Sequence, residues 1–97
     1  MREYEFTVVI QPDIEETARN EMLEWLKQQL VTTGATEETM TADHWGRRSL
    51  AYPIKDYENG YYVFYSLTLD PTKTAELERN LQFRDELLRH LLVRKEE

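Results

Sequence analysis

Segments with a two-residue hydrophobic repeat alternate along this chain with segments of helical repeat, and their order limits the possible folds. Residues 4–11 alternate in the manner of a strand with one face in a core. Asp13 and Glu16 then have the form of a capping box, which marks a helix start. Apolar residues recur at helical spacing as far as Leu30, and Gly34 suits the left-handed position after a helix end. The first third of the chain therefore predicts a strand followed by a helix.

The next segment predicts a hairpin. Residues 36–54 have the composition of one long strand, interrupted near Gly46, where a glycine often marks a bulge. Asn59 and Gly60 predict the turn of the hairpin. Residues 61–69 are rich in β-branched and aromatic side chains, and they predict its second strand.

A second helix and a last strand complete the pattern. Asp70 and Pro71 predict a helix start, because aspartate is a common N-cap and proline suits the first helical position. Leu77 and Leu81 give this helix an apolar stripe, and residues 87–93 predict the last strand.

The order strand, helix, strand, strand, helix, strand predicts an α+β fold of the ferredoxin-like split βαβ type. In that fold a four-stranded antiparallel sheet carries two helices on one face. A chain of 97 residues can bury one core but not two, so residues 1–97 are predicted to form a single domain.

The composition excludes several classes of function. Cysteine is absent, which removes thiol catalysis and thiolate metal sites and agrees with a cytoplasmic protein. No apolar run approaches the roughly 20 residues needed to cross a bilayer, so no membrane association is expected. The serines, Ser49 and Ser66, fall in predicted strands, and the histidines, His44 and His90, lack metal-ligand spacing. We therefore predict that the chain is not an enzyme and holds no metal or cofactor.

Helices on one side of the sheet leave its other side, here called the open face, uncovered. The two-residue repeat of the third strand points Tyr62 and Phe64 toward it. The predicted apolar surface on this face consists of Val9, Tyr62, Phe64, Leu88, His90 and Leu92. Such a surface predicts a protein partner. Base stacking, as in RNA-recognition domains, is an alternative, but GYYVFYSL lacks the basic residue and second glycine of their third-strand signature.

Two adjacent arginines, Arg47 and Arg48, stand out in a chain with a net charge of -7. Charge on an edge strand discourages pairing between sheets, which is one interpretation. The other is that a bulge at Gly46 turns both guanidinium groups in one direction, toward phosphates. Arg2 and Arg94 are also expected to be neighbours in antiparallel strands. The candidate phosphate contacts are Arg2, Arg47, Arg48, Arg84, Arg89 and Arg94.

Three segments resemble the bacterial small-subunit ribosomal protein six family. They are MREYEFTVVIQPDI, WGRRSLAYPIKDYENGYYVFYSL and LERNLQFRDELLRHLLVR, and together they cover most of the chain in register. WGRRSLAYPI, followed by a short turn and GYY, is the most specific part. Glu3 departs from the pattern, since some members of the family have a basic residue there.

The resemblance implies a structural, non-catalytic component of the small ribosomal subunit that works without a cofactor. It implies binding to the central domain of small-subunit ribosomal RNA together with small-subunit ribosomal protein eighteen, in support of subunit assembly and translation. The partner would supply positive charge that this acidic chain lacks, and the isolated chain is expected to be a monomer that binds RNA weakly.

A second hypothesis belongs to another class of protein. A ferredoxin-like regulatory or oligomerising module could use the same open face to form a homodimer or to hold a small effector. A tight dimer that ignores both RNA and the partner would favour this alternative.

Overall fold

Six elements follow one another in the predicted order. They are β1 Arg2–Ile10, α1 Glu16–Thr32, β2 Thr41–Ile54, β3 Tyr57–Leu69, α2 Thr74–Leu81 and β4 Leu87–Arg94. The structure is a computed structural model that describes residues 1–95. Residues 96 and 97, the end of the predicted domain, lie outside the described residues.

The strands form one antiparallel sheet in the order β2-β3-β1-β4. Both helices pack on the same side of this sheet, because residues from α1 and α2 share one core cluster with the inward residues of β1 and β3. The predicted ferredoxin-like split βαβ fold is confirmed. Neither helix within residues 1–95 has the length and apolar character that crossing a bilayer requires.

The core follows the two-residue repeat of the central strands. Every second residue of β1 from Tyr4 to Ile10, and of β3 from Val63 to Leu69, is buried. The helices contribute Met22, Leu26, Leu30, Leu77 and Leu81, which are all 2% exposed or less. Burial of each large aliphatic side chain contributes about 1.5 to 3 kcal/mol, so this layer supplies most of the driving force for folding.

The two ends of α1 differ in how well the sequence predicts them. The predicted capping box is wrong: Glu15 is the N-cap and makes no side-chain capping bond. Asp13 instead lies 3.6 Å from Arg47 in an ion pair. At the other end Gly34 has φ +115°, and the amide of Ala35 donates to the carbonyl of Leu30 at 3.0 Å, as in a Schellman motif. The glycine termination is confirmed.

The hairpin turn was predicted at the wrong residues. Lys55 and Asp56 have φ +51° and +69° and form the turn, so β3 begins at Tyr57 and includes Asn59 and Gly60. Gly60 serves packing instead, since a Cβ there would overlap Cγ1 of Val9. The long strand also begins later than predicted, because residues 36–39 form a threonine-bonded turn before β2.

The second helix begins a few residues later than predicted, at Thr74. Asp70 caps the turn that leads into it: its Oδ1 accepts bonds from the amide and the hydroxyl of Thr72, at 3.0 and 2.7 Å. These two bonds hold the pKa of Asp70 below its usual value. The predicted stripe of Leu77 and Leu81 is buried against the core, as expected.

Candidate functional site

The open face of the sheet carries the aromatic residues that the sequence places there. Tyr62 and Phe64 are partly exposed, whereas Val63 and Tyr65 between and beside them are buried under the helices. Val9 pairs with Tyr62 across the β1–β3 ladder and therefore lies on the same face. The predicted orientation of these three open-face residues is confirmed.

The predicted orientation of the last strand is wrong. His90 pairs with Val8 and Leu92 with Phe6, so both side chains lie on the helix side of the sheet. Nε2 of His90 lies 3.8 Å from Glu78 of α2, and Leu92 packs against the core.

Leucine occurs at both parities of β4, so the sequence cannot show which residues of this strand face inward. The pairing with β1 decides it, together with a register shift at Val9 and Ile10. Leu88 falls at this shift and is half-buried. Arg89, Leu91 and Val93 take the open-face positions instead, because they pair with Val9, Thr7 and Glu5. Leu91 and Val93 are 51% and 48% exposed, so apolar surface reaches this edge of the sheet.

Trp45 is the main residue of the open face that sequence reasoning missed. The β2–β3 register shifts between His44 and Gly46, and Gly46 has φ +77°, so the predicted bulge is confirmed. Trp45 is the residue at the shift. Its ring stacks on Phe64 at 5.7 Å and on Tyr62 at 6.4 Å.

Two further features make Trp45 a fixed platform on the open face. Its indole N–H donates to Oδ2 of Asp43 at 2.9 Å, which holds the ring in place. The side chain is nevertheless 44% exposed, so its outer surface remains available. A tryptophan directly before a bulge glycine was the only sequence signal for this arrangement.

The bulge does not turn Arg47 and Arg48 in one direction. Arg47 pairs with Tyr61, whose ring packs on the helix side, and Arg48 pairs with Gly60 on the other side. The predicted common direction is therefore wrong, because regular alternation resumes directly after the bulge. Arg47 reaches Asp13, whereas Nε of Arg48 donates to the carbonyl of Trp45 at 3.2 Å.

Two of the other candidate arginines also make internal contacts. The guanidinium of Arg84 lies 4.6 Å above the ring of Trp25, and its Nη2 lies 3.3 Å from Glu86. Nη1 of Arg89 donates to the hydroxyl of Tyr52 at 3.0 Å.

Arg2 and Arg94 lie at the opposite end of the sheet from the other candidates. Arg94 pairs with Tyr4, two residues beyond Arg2 on the same strand. The expected proximity of Arg2 and Arg94 is confirmed as a diagonal relationship. The six arginines therefore do not form one patch.

Charge on the open face is divided between its two ends. Glu3, Glu5 and Asp43 pair with Thr68, Ser66 and Phe64, and so lie on this face. Arg48 and Arg89 lie toward its other end. Within residues 1–95 no three His, Cys, Asp or Glu side chains gather as metal ligands would. The arrangement suits binding by an apolar centre with charged flanks.

The comparison with known proteins decides the family. A family model described as "Ribosomal protein S6" matches residues 3–94. The chain belongs to the ribosomal protein S6 family. The small ribosomal subunit protein bS6 of Caldanaerobacter subterraneus subsp. tengcongensis is 39% identical over 97% of both chains. That of Dictyoglomus turgidum is 37% identical over the full length of both.

A solved S6 structure confirms the fold as well. The crystal structure of 30S ribosomal protein S6 from Thermotoga maritima superposes with a TM-score of 0.80 at 28% identity, covering 97% of this chain and 87% of that one. S6 proteins are components of the small ribosomal subunit and not enzymes. The family resemblance, the ribosomal and hence cytoplasmic location and the non-enzymatic role predicted from the sequence are therefore confirmed.

Proposed function

We propose that this S6 protein binds the central domain of small-subunit ribosomal RNA together with small-subunit ribosomal protein eighteen, and so supports subunit assembly and translation. Its membership of the S6 family along nearly the whole chain is the observation that supports this most. The open face, with an apolar centre and charges of both signs, supports the partner contact. The net charge of -7 supports a need for a basic partner before RNA is held.

We assign the partner contact to the centre of the open face. Its exposed or partly exposed apolar residues are Trp45, Tyr62, Phe64, Leu91 and Val93. Val9 points to the same face but is only 4% exposed. His90 and Leu92 are not part of this partner surface, because their side chains lie on the helix side of the sheet. The acidic side chains of Glu3, Glu5 and Asp43 surround one end of this centre and would attract a basic protein, whereas they would repel RNA phosphates.

We assign RNA contact to arginines that no carboxylate holds within the described part of the chain. Arg48 and Arg89 bond only to a carbonyl and a hydroxyl, so their charge is available to a phosphate. Arg2 and Arg94 are exposed at the other end of the sheet and remain candidates. Arg47 and Arg84 are each paired with a carboxylate, and we expect weaker contributions from them.

Binding to an RNA fragment of the central domain tests the proposal. We expect weak binding by the chain alone and tight binding after purified protein eighteen is added, with an affinity that falls as salt rises. Sedimentation of the isolated chain should give a monomer. A tight homodimer that binds neither RNA nor protein eighteen would overturn the proposal and favour an oligomerising module.

The two tryptophans allow the partner surface to be tested separately. In a Trp25→Phe variant, Trp45 is the only tryptophan, and we expect its emission to change when protein eighteen binds. In the matched Trp45→Phe variant, the remaining tryptophan is Trp25, which lies under Arg84 away from the open face. The emission of Trp25 should change little when protein eighteen is added. A complex that forms without altering Trp45 emission would place the partner elsewhere.

A further inference from the structure

A hydrogen bond joins the two edge strands of the sheet across its open face. Tyr52 belongs to β2 and Arg89 to β4, and these strands are separated by β3 and β1. Three inter-strand spacings, about 14 Å, lie between them in a flat sheet. The Tyr52 hydroxyl nevertheless accepts a bond from Nη1 of Arg89 at 3.0 Å. The two long side chains therefore extend toward each other across β3 and β1 on the open face.

Tyr52 belongs to the end of the β2–β3 hairpin, residues 50–60, here called the hairpin arm. Regular pairing between β2 and β3 is lost after Ser49 and returns only at Ile54 and Tyr57. At the base of the arm Gly60 lies close to the neighbouring strand β1, where a Cβ would overlap Val9. A second bond fixes the arm from the other side, where the side chain of Gln11 donates to the hydroxyl of Tyr57.

Beside Arg89, the open face of the sheet carries an open cavity of about 230 Å³. Its lining residues are Thr7, Val9, Tyr62, Arg89, His90 and Leu91. The imidazole of His90 lies on the helix side, so the Arg89 guanidinium is the charged group of this cavity. A guanidinium has five N–H donors, and the bond to Tyr52 uses one of them, which leaves the others for a ligand.

The nature of the bond distinguishes Arg89 from other arginines of this protein. Arg47 and Arg84 are paired with the carboxylates of Asp13 and Glu86, which offset their charge. Within residues 1–95 Arg89 forms no ion pair, and its partner is a neutral hydroxyl. The hydroxyl orients the guanidinium without reducing its charge. A free arginine side chain has about 2 kcal/mol of rotamer entropy to lose on binding, and prior orientation reduces that loss.

We propose that Tyr52 is a positioning residue that holds the guanidinium of Arg89 ready for a phosphate of the bound RNA. This rests on the proposed RNA-binding function. Tyr52 itself does not need to touch RNA. Its role is to present the remaining donors of Arg89 in one direction at the basic end of the open face, where a phosphate can accept two of them.

A double-mutant cycle on RNA binding, measured in the presence of protein eighteen, tests the proposal. Tyr52→Phe removes only the hydroxyl, and we expect it to weaken RNA binding about three- to fivefold, the effect of one modest hydrogen bond. The salt dependence should not change, because Arg89 keeps its charge. Arg89→Ala should weaken binding and lower the slope of log affinity against log salt by about 0.7 to 0.9. In the Arg89→Ala background, Tyr52→Phe should have no further effect.

Tyr57→Phe is the matched control, because it removes a hydroxyl from the same arm without touching Arg89. We expect it to leave RNA affinity unchanged.

Equal losses of RNA affinity for Tyr52→Phe and Tyr57→Phe would overturn the positioning role of Tyr52, as would additive losses for Tyr52→Phe and Arg89→Ala. Neither result would contradict the proposed RNA-binding function. If Arg89→Ala leaves both affinity and salt slope unchanged, Arg89 does not contact RNA and the positioning role fails with it. Loss of all RNA binding by the unaltered protein would instead contradict the proposed function itself.

Discussion

Arg47 and Arg48 are adjacent in the sequence but lie on opposite faces of the sheet, since Arg47 pairs with Tyr61 and Arg48 with Gly60. Arg47 is held 3.6 Å from Asp13 on the helix side, whereas Arg48 lies beside Trp45 on the open face. An RNA strand that lies along one face of the sheet can contact only one of the two guanidinium groups. The pair therefore combines the two interpretations that the sequence allowed: one arginine suits a ligand, and the other is compensated charge on an edge strand.

The opposite orientation predicts unequal effects of the two arginines on RNA binding. We expect Arg48→Ala to lower the salt slope of RNA binding by about one phosphate contact, and Arg47→Ala to leave it almost unchanged. The double variant should match Arg48→Ala. Titrations with protein eighteen present, over a series of salt concentrations, measure this. Equal reductions for both single variants would contradict the assignment.

The two helix starts predict different effects of two aspartates on stability. Asp70→Ala should destabilise the protein, because the carboxylate caps the turn before α2. Asp13→Ala should leave the denaturation midpoint nearly unchanged, because Asp13 makes no capping bond and only an exposed ion pair. The pKa of Asp70 is lowered in the folded protein, so the ionised carboxylate stabilises the fold at pH values above the ordinary aspartate pKa. This stabilisation is lost as the pH falls through the lowered pKa of the folded state. A larger loss of stability for Asp13→Ala than for Asp70→Ala would show instead that Asp13 caps α1.

Gly60 is predicted to be the glycine that packing requires most. Gly60→Ala should destabilise the protein by about 1 to 3 kcal/mol, because the new methyl group meets the stiff side chain of Val9. Val9→Ala should relieve part of this, so the double variant should be more stable than the sum of the single effects predicts. Gly46→Ala is the control, since its Cβ meets nothing within 4 Å and only its φ of +77° is unfavourable. Denaturant unfolding measures these variants together with the Gly46→Ala/Val9→Ala double variant, and rescue of Gly46→Ala by Val9→Ala would contradict the packing role of Gly60.

Tyr65 predicts how stability changes at alkaline pH. Burial, with a smaller contribution from Tyr61, raises its pKa from 10.0 to about 12. The unfolded chain therefore loses this proton first, and the stabilising effect is complete below pH 10 and lost as the pH rises toward 12. Relative to Tyr65→Phe, the unaltered protein should lose about 2 to 3 kcal/mol of unfolding free energy over that range. A constant difference between the two proteins from pH 8 to pH 11.5 would contradict this.

Elements with one buried face could be predicted from the sequence alone. In β1 from Tyr4 onward and in β3 from Val63 onward, every second residue is apolar and buried, so the repeat revealed both the strands and the face that each residue occupies. In β4, leucine at both parities left no such signal, and only pairing with β1 placed His90 and Leu92 under the helices. The orientation of this strand is a property of the sheet as a whole.

The hairpin turn was predicted from local sequence preferences, but a contact between residues far apart in the sequence determines where Gly60 lies. Asn59 and Gly60 form the strongest turn dipeptide of the segment, but close packing against Val9 requires Gly60 within β3. The turn lies instead at Lys55 and Asp56, which adopt positive φ although neither is a glycine. Likewise the bulge at Gly46 was predictable, but the sequence could not show that it is Trp45 that lies over Tyr62 and Phe64. These contacts join residues far apart in the sequence.

The central claim, a structural role on the small ribosomal subunit, is tested most directly by co-sedimentation. The tagged chain, expressed in bacterial cells, should sediment with small subunits at moderate salt. A triple variant of Trp45, Arg48 and Arg89 to alanine should remain largely unbound while staying folded. Sedimentation of the unaltered chain away from small subunits, as a free protein, would contradict it.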